Sequence, residues 1–172
     1  ACTWLFLALA FPVWAELPVP ATAGVAADPV AEAIRERVDH LRYELQHDHR
    51  DHAVRGERIV LGDTVARYYE SQQFQPKWRD PARLRQLLES LRDLAGDGLD
   101  PAEYHFAALD TFRAELGRGK ALPDSEQAAL EILATDAFML GLYHLYLGRV
   151  DPAQLSPQWN FPSKPVDVER GF

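Results

Sequence analysis

The sequence predicts an all-α fold, an irregular multi-helix bundle of about five helices preceded by a signal peptide and a linker. Three observations carry this expectation. Apolar residues recur at spacings of three and four, the mark of one buried helix face. An aspartate cap followed by proline opens helices at Asp28-Pro29, Asp80-Pro81 and Asp100-Pro101; the cap accepts a first-turn N–H, and proline lacks only an N–H that is not needed there. No strand alternation worth counting and no repeat at solenoid spacing is present.

The 172 residues suffice for one domain with a real core. Apolar residues make up 47% and charged residues 26%, the balance of a folded soluble chain and not of a disordered tail. With 26 acidic against 18 basic side chains, the formal charge is −8. That sign disfavours attraction to nucleic acid and to anionic membrane surfaces, so no nucleic-acid partner is expected.

Residues 1–15 carry no charged side chain and hold the apolar run Trp4-Leu5-Phe6-Leu7-Ala8-Leu9-Ala10-Phe11. The run is shorter than the roughly 20 apolar residues a membrane span needs, and Val13 and Ala15 suit the −3 and −1 positions of a cut after Ala15. A cleavable signal peptide missing its basic n-region is the expectation. Cys2 lies inside it, so the mature chain would have no disulfide, thiolate ligand or Cys nucleophile.

Residues 16–27, with Pro18, Pro20 and Gly24, read as a linker. Helix one starts at Asp28-Pro29, and its stripe Val30, Ile34, Val38, Leu41, Leu45 is narrow enough for a satellite helix. A polar run follows, then Arg58-Ile59-Val60-Leu61 as a short extended stretch. Gly62-Asp63 restarts helix, with Asp63 as its cap and Val65, Tyr68 and Tyr69 facing inward, until Phe74-Gln75-Pro76-Lys77-Trp78 breaks it. The third helix carries Leu84, Leu87, Leu88, Leu91 and Leu94 and stops at Gly96 and Gly98. A fourth runs from Asp100-Pro101, with Glu103 in its first turn, through Leu109, Phe112 and Leu116 to Gly117 and Gly119. The last begins around Pro123-Asp124-Ser125 and turns Leu130, Leu133, Ala134, Ala137, Phe138, Leu142 and Leu145 inward before Gly148. It is apolar on more than one face, as a central helix would be. Residues 150–172 hold four prolines and no period.

Few residues invite chemistry. His47-Asp48-His49-Arg50-Asp51-His52 is the one dense group of metal-ligand types, but a zinc site wants three or four converging ligands and one helix face rarely supplies them. A solvated helix end is expected there, and no metal. Asp136 sits inside the apolar last helix, where a carboxylate needs a neighbouring helix end or an arginine to bond. Tyr104 reads as a core aromatic with its hydroxyl at an edge, and not as a catalytic partner of His105. No Ser-His-Asp arrangement, phosphate loop or Cys-His pair is recognisable, so no catalytic, cofactor-binding or metal residue is expected in this chain.

Four strings in order carry a resemblance. They are Tyr68-Tyr69-Glu70-Ser71-Gln72-Gln73-Phe74-Gln75-Pro76-Lys77-Trp78, Gly98-Leu99-Asp100-Pro101-Ala102-Glu103-Tyr104, Leu133-Ala134-Thr135-Asp136-Ala137-Phe138, and Leu147-Gly148-Arg149-Val150-Asp151-Pro152, with Trp159 after them. Together they resemble the scaffold region of large murein L,D-transpeptidases. The motif positions Tyr69, Phe74, Pro76, Trp78, Gly98, Leu99, Asp100, Pro101, Tyr104, Thr135, Asp136, Gly148, Asp151, Pro152 and Trp159 then read as structural, punctuating the fold. The resemblance implies a helical scaffold domain over residues 28–160, with 161–172 starting the connection to a downstream domain.

It further implies a periplasmic parent enzyme that forms 3→3 crosslinks in peptidoglycan through a Cys nucleophile outside this chain. Partners would be the parent's own catalytic domain, with peptidoglycan or cell-wall synthesis proteins beyond it. Exposed aromatics near Trp78 or Trp159 are the expected contact surface. The alternative is a free-standing periplasmic helical adaptor that binds a cell-wall enzyme or glycan. The tail from Val166 to Phe172, without a helix stop or a long polar finish, favours the first reading.

Overall fold

A computed structural model of the chain describes residues 28–47, 53–119 and 121–149. The expected signal peptide and linker, residues 48–52 of the His-rich run, and Asp151, Pro152 and Trp159 lie outside the described residues.

The fold is all-α, and the described residues form five α-helices: α1 Pro29–Gln46, α2 Gly62–Ser71, α3 Pro81–Asp93, α4 Phe106–Gly117 and α5 Asp124–Leu147. Two short 3-10 turns, Leu94–Asp97 and Pro101–Tyr104, join α3 to α4. All three Asp-Pro caps form, the first two opening α1 and α3 and the third opening the 3-10 turn Pro101–Tyr104. Asp28 accepts from the Val30 N–H at 3.0 Å, Asp80 from Ala82 at 2.8 Å and Asp100 from Ala102 at 3.0 Å.

α5 is the axis of the molecule. It is buried on every side from Gln127 to Ala137 and again at Met139 to Gly141, and α1, α2, α3 and α4 all lie against it. Length and composition alone would let it cross a membrane, but 72% of its most apolar stretch is buried in the protein, as in a core helix. The buried stripes of the other helices, leucine-rich only in α3, close one continuous core around it.

Several expectations change. α1 is no satellite: Val30, Ile34, Val38 and Leu41 are buried, and the helix packs on both α5 and α2. A small antiparallel hairpin, β1 Ala53–Val54 with β2 Glu57–Arg58, stands where no strand was expected. Two residues a side are too few for alternation to show. Its turn places Arg55 at φ 53° and Gly56 at φ 82°, the pair of left-handed residues that a two-residue hairpin needs.

Asp63 does not cap α2. The cap position is Leu61, which has no side-chain bond to the helix, while Asp63 sits in the first turn and pairs with Arg67 at 3.1 Å. The fourth helix does not run unbroken from Pro101, because His105 turns left-handed at φ 57° and α4 restarts at Phe106. Leu145 is 51% exposed, so the inward stripe of α5 ends before its last turn. Trp78, expected as an exposed aromatic at a contact surface, is 4% exposed and belongs to the core.

Candidate functional site

The polar side chains of α5 form two buried clusters, and four of the motif residues, Tyr69, Trp78, Thr135 and Asp136, belong to them. The first cluster begins with Glu131 and Thr135, one helical turn apart and both fully buried. α2 delivers Tyr69 to it. The helix then closes with a Phe74 N–H bonded to the Tyr69 carbonyl at 2.8 Å and with Gln73 and Phe74 both left-handed, a Schellman-type stop built without glycine. That reversal, followed by half-buried Pro76, brings the next residues back against α5.

Glu131 accepts four bonds: from the backbone N–H of Lys77 at 2.7 Å and of Trp78 at 2.9 Å, from the Tyr69 hydroxyl at 2.9 Å, and from the Gln127 amide at 3.1 Å. Thr135 Oγ1 accepts from Trp78 Nε1 at 2.9 Å and lies 2.8 Å from the Tyr69 hydroxyl. One proton order satisfies every atom: indole to threonine, threonine to tyrosine, tyrosine to carboxylate. Burial pushes the Glu131 carboxyl above its usual range, while its four donors each pull it back. Because all four partners donate, no acceptor remains for a carboxyl proton, and the ionised form is the one that fits this geometry. Burial first, and then the charge of Glu131, hold the Tyr69 phenol well above its ordinary value and push Tyr68 up to about 12.

The second cluster is centred on Asp136, also fully buried. It accepts from the Val60 N–H at 3.1 Å and the Leu61 N–H at 2.7 Å, so the carboxylate that meets the start of α2 comes from α5. This is the neighbouring helix end expected for Asp136. Its third partner is a histidine and not an arginine: His105 Nε2 lies 2.8 Å from Asp136, and His105 Nδ1 lies 3.2 Å from Glu57 of the hairpin. Burial pulls the His105 imidazole down, but the bonds and charges of Asp136 and Glu57 outweigh it and hold its pKa above the ordinary histidine value. Two turns along α5, His144 Nδ1 meets the hydroxyl of buried Tyr104 at 2.8 Å, and burial followed by the charge of Arg149 lowers the His144 pKa.

The motif residues therefore divide by task. Tyr69, Trp78 and Thr135 form the first cluster, and Asp136 anchors the second. Tyr104 is the core aromatic with a bonded edge hydroxyl and makes no pair with His105. Gly98, at φ 78°, closes the first 3-10 turn, Leu99 is buried after it, and Asp100-Pro101 starts the next. Phe74 and Pro76 shape the reversal after α2, with the Arg35 guanidinium 4.9 Å over the Phe74 ring. Gly148 ends α5 at φ 81°.

Glu131, Glu57 and Gln127 are not singled out by the sequence, and His105 is named there only as a partner for Tyr104. Glu131 carried a usable signal, since it is an acid inside the same apolar stretch that made Asp136 conspicuous. Glu57, and the pairing of His105 with it and with Asp136, gave none, because these partners lie far apart along the chain.

Chemically, these groups hold backbone in place. Glu131 fixes the residue 77–78 reversal to α5, and Asp136 fixes the start of α2 and the His105 turn to the same helix. A surface groove of about 210 Å³, lined by Ala33, Glu36, Arg37, His40 and Ser125, contains none of these buried groups.

A central helix with buried carboxylates clamping its surrounding loops defines an architectural helical domain. The chain belongs to the Scaffold domain family, whose model matches residues 63–171. The match takes in α2, apart from its first residue Gly62, through α5, and both buried clusters except Glu57, Val60 and Leu61. No curated protein and no solved structure matches the chain.

Proposed function

We propose that the chain is the non-catalytic scaffold region of a periplasmic murein L,D-transpeptidase, and that it supports 3→3 crosslinking of peptidoglycan by packing against and orienting the enzyme's catalytic domain. The observation that carries this reading is the use made of the motif residues. Tyr69, Trp78 and Thr135, members of two strings that resemble that enzyme family, are joined with Glu131 in one buried network that ties the reversal after α2 to the central helix. Residues with that task suit a rigid support for chemistry carried elsewhere. Membership of the Scaffold domain family agrees with the supporting role.

The first test is the gene downstream of the Phe172 codon. A continuous frame encoding a domain with a nucleophilic Cys near Gly and His is the expected result, and a stop codon within a few residues would put the free-standing adaptor ahead. The second test compares muropeptides from cells carrying the parent protein with and without residues 28–160. Loss of 3→3 crosslinks with the catalytic domain still folded is expected, and unchanged crosslinking would remove the scaffold from the reaction.

A further inference from the structure

One imidazole stands between two carboxylates from different elements. His105 Nε2 is 2.8 Å from Asp136 Oδ2 on α5, and His105 Nδ1 is 3.2 Å from Glu57 Oε2 on the hairpin. An ionised carboxylate only accepts hydrogen bonds, so each contact needs a proton on the facing ring nitrogen. The imidazolium has two N–H groups and makes both contacts. The neutral ring has one and leaves a lone pair facing a carboxylate.

Exposure decides which contact the neutral ring keeps. The Asp136 side chain is 0% exposed and that of Glu57 is 37% exposed. A carboxylate without solvent loses more when a donor leaves than one that can turn to water. The remaining N–H therefore stays on Nε2 with Asp136. His105 itself stands in left-handed backbone at the junction between the second 3-10 turn and α4.

We propose that His105 is a proton-operated latch on the β1–β2 hairpin: the imidazolium ties Glu57 to α5 through Asp136, and the neutral ring keeps Asp136 and releases Glu57. The hairpin then loosens locally without leaving the body. Arg55 at its tip is engaged with Glu126 of α5 at 3.4 Å and stands 4.5 Å over the Phe112 ring of α4. The pull of Asp136 and Glu57 outweighs burial at His105, so the latch stays closed to higher pH than an ordinary histidine would allow.

Glu57 and Asp136 are the charged groups that face the ring. From α1, Arg37, His40 and Glu44 line a crevice beside Ala53 and Val54 of β1, and His40 lies 3.1 Å from Glu44. His40 is thus a second imidazole near the hairpin, and the test must separate the two.

Nuclear magnetic resonance of the full chain, titrated from about pH 5 to 9, does so. The ring resonances of His105 and the amides of Val54 to Arg58 are followed together. The expected result is that the hairpin amides shift with the His105 midpoint and exchange faster above it. In Glu57→Gln, the amide side chain can accept from the imidazolium and donate to the neutral ring, so the contact survives both states. There His105 should titrate at lower pH while the hairpin no longer follows it, and His40→Gln should leave the wild-type coupling unchanged. Hairpin amides that ignore the His105 midpoint in the wild type, or that follow it equally in Glu57→Gln, would overturn the latch. Coupling that vanishes in His40→Gln would do the same and assign the effect to α1.

Discussion

The indole N–H of Trp78 donates to Thr135 Oγ1 at 2.9 Å, joining the reversal after α2 to the central helix at a point sealed from water. Thr135 in turn lies 2.8 Å from the Tyr69 hydroxyl. Thr135→Val keeps the shape of the side chain but leaves the indole N–H without an acceptor and removes the donor to Tyr69. Stranding buried partners in this way costs about 1–3 kcal/mol. A lower urea midpoint with an unchanged slope is the expected observation, with Thr135→Ser recovering most of the loss. A Val variant as stable as the wild type would mean that the indole and phenol find other partners.

Glu131 gives a sharper test, because the identity of its four donors fixes its charge. Glu131→Gln keeps one acceptor oxygen but points an amide N–H₂ at groups that are themselves donors. The expected destabilisation is about 2–4 kcal/mol, read as a fall in thermal midpoint. If the wild-type side chain were instead protonated, Gln would mimic it and the midpoint would barely move.

How legible was this in the sequence? The helix starts were, because Asp28, Asp80 and Asp100 cap within two residues of themselves and need no tertiary partner. The centrality of α5 was also legible, since a helix apolar all round has to be surrounded. What failed depended on distant residues. Asp63 looked like the cap of α2, yet the carboxylate at that helix start is Asp136, more than seventy residues away in sequence. The break at His105 has the same origin, since its backbone departs from helix where its ring meets Asp136 and Glu57. Trp78 looked exposed because it follows a proline break in a polar stretch, and nothing local shows that Glu131 and Thr135 wait on α5 to receive it.

The glycines at the end of α3 should respond in opposite directions to the same substitution. Gly98 sits at φ 78°, and its N–H bonds the Ala95 carbonyl as the helix terminates. Gly98→Ala meets no atom within 4 Å, so its expected cost of roughly 1 kcal/mol is purely backbone strain. Gly96 also has open space but lies in the preceding 3-10 turn without a positive φ. Gly96→Ala should therefore be neutral or stabilise by about 0.4–1 kcal/mol, through the less flexible unfolded chain. Paired urea titrations check the contrast, and equal effects of the two variants would refute it.

Stability against pH should carry two opposed histidine contributions. The His105 pKa is raised in the folded state, so its contribution is fully present below the unfolded value of about 6.5 and is lost as pH rises through the folded pKa. The His144 pKa is lowered, so its effect has the other sign: stability is retained above the unfolded value and lost as pH falls from there through the folded pKa. The two windows meet near the unfolded value, so the histidines together place a stability maximum there, on which the other titrating groups are superimposed. The informative quantity is the difference between the wild type and His105→Gln, in which His144, Glu131 and the surface carboxylates cancel. That difference should favour the wild type most in mild acid and shrink as the pH passes neutrality. His144→Gln should give the opposite trend, with a wild-type disadvantage that appears only in acid. Urea midpoints at matched ionic strength across this range measure both, and a His105→Gln difference that grows with pH would show that burial, and not the two carboxylates, governs that ring.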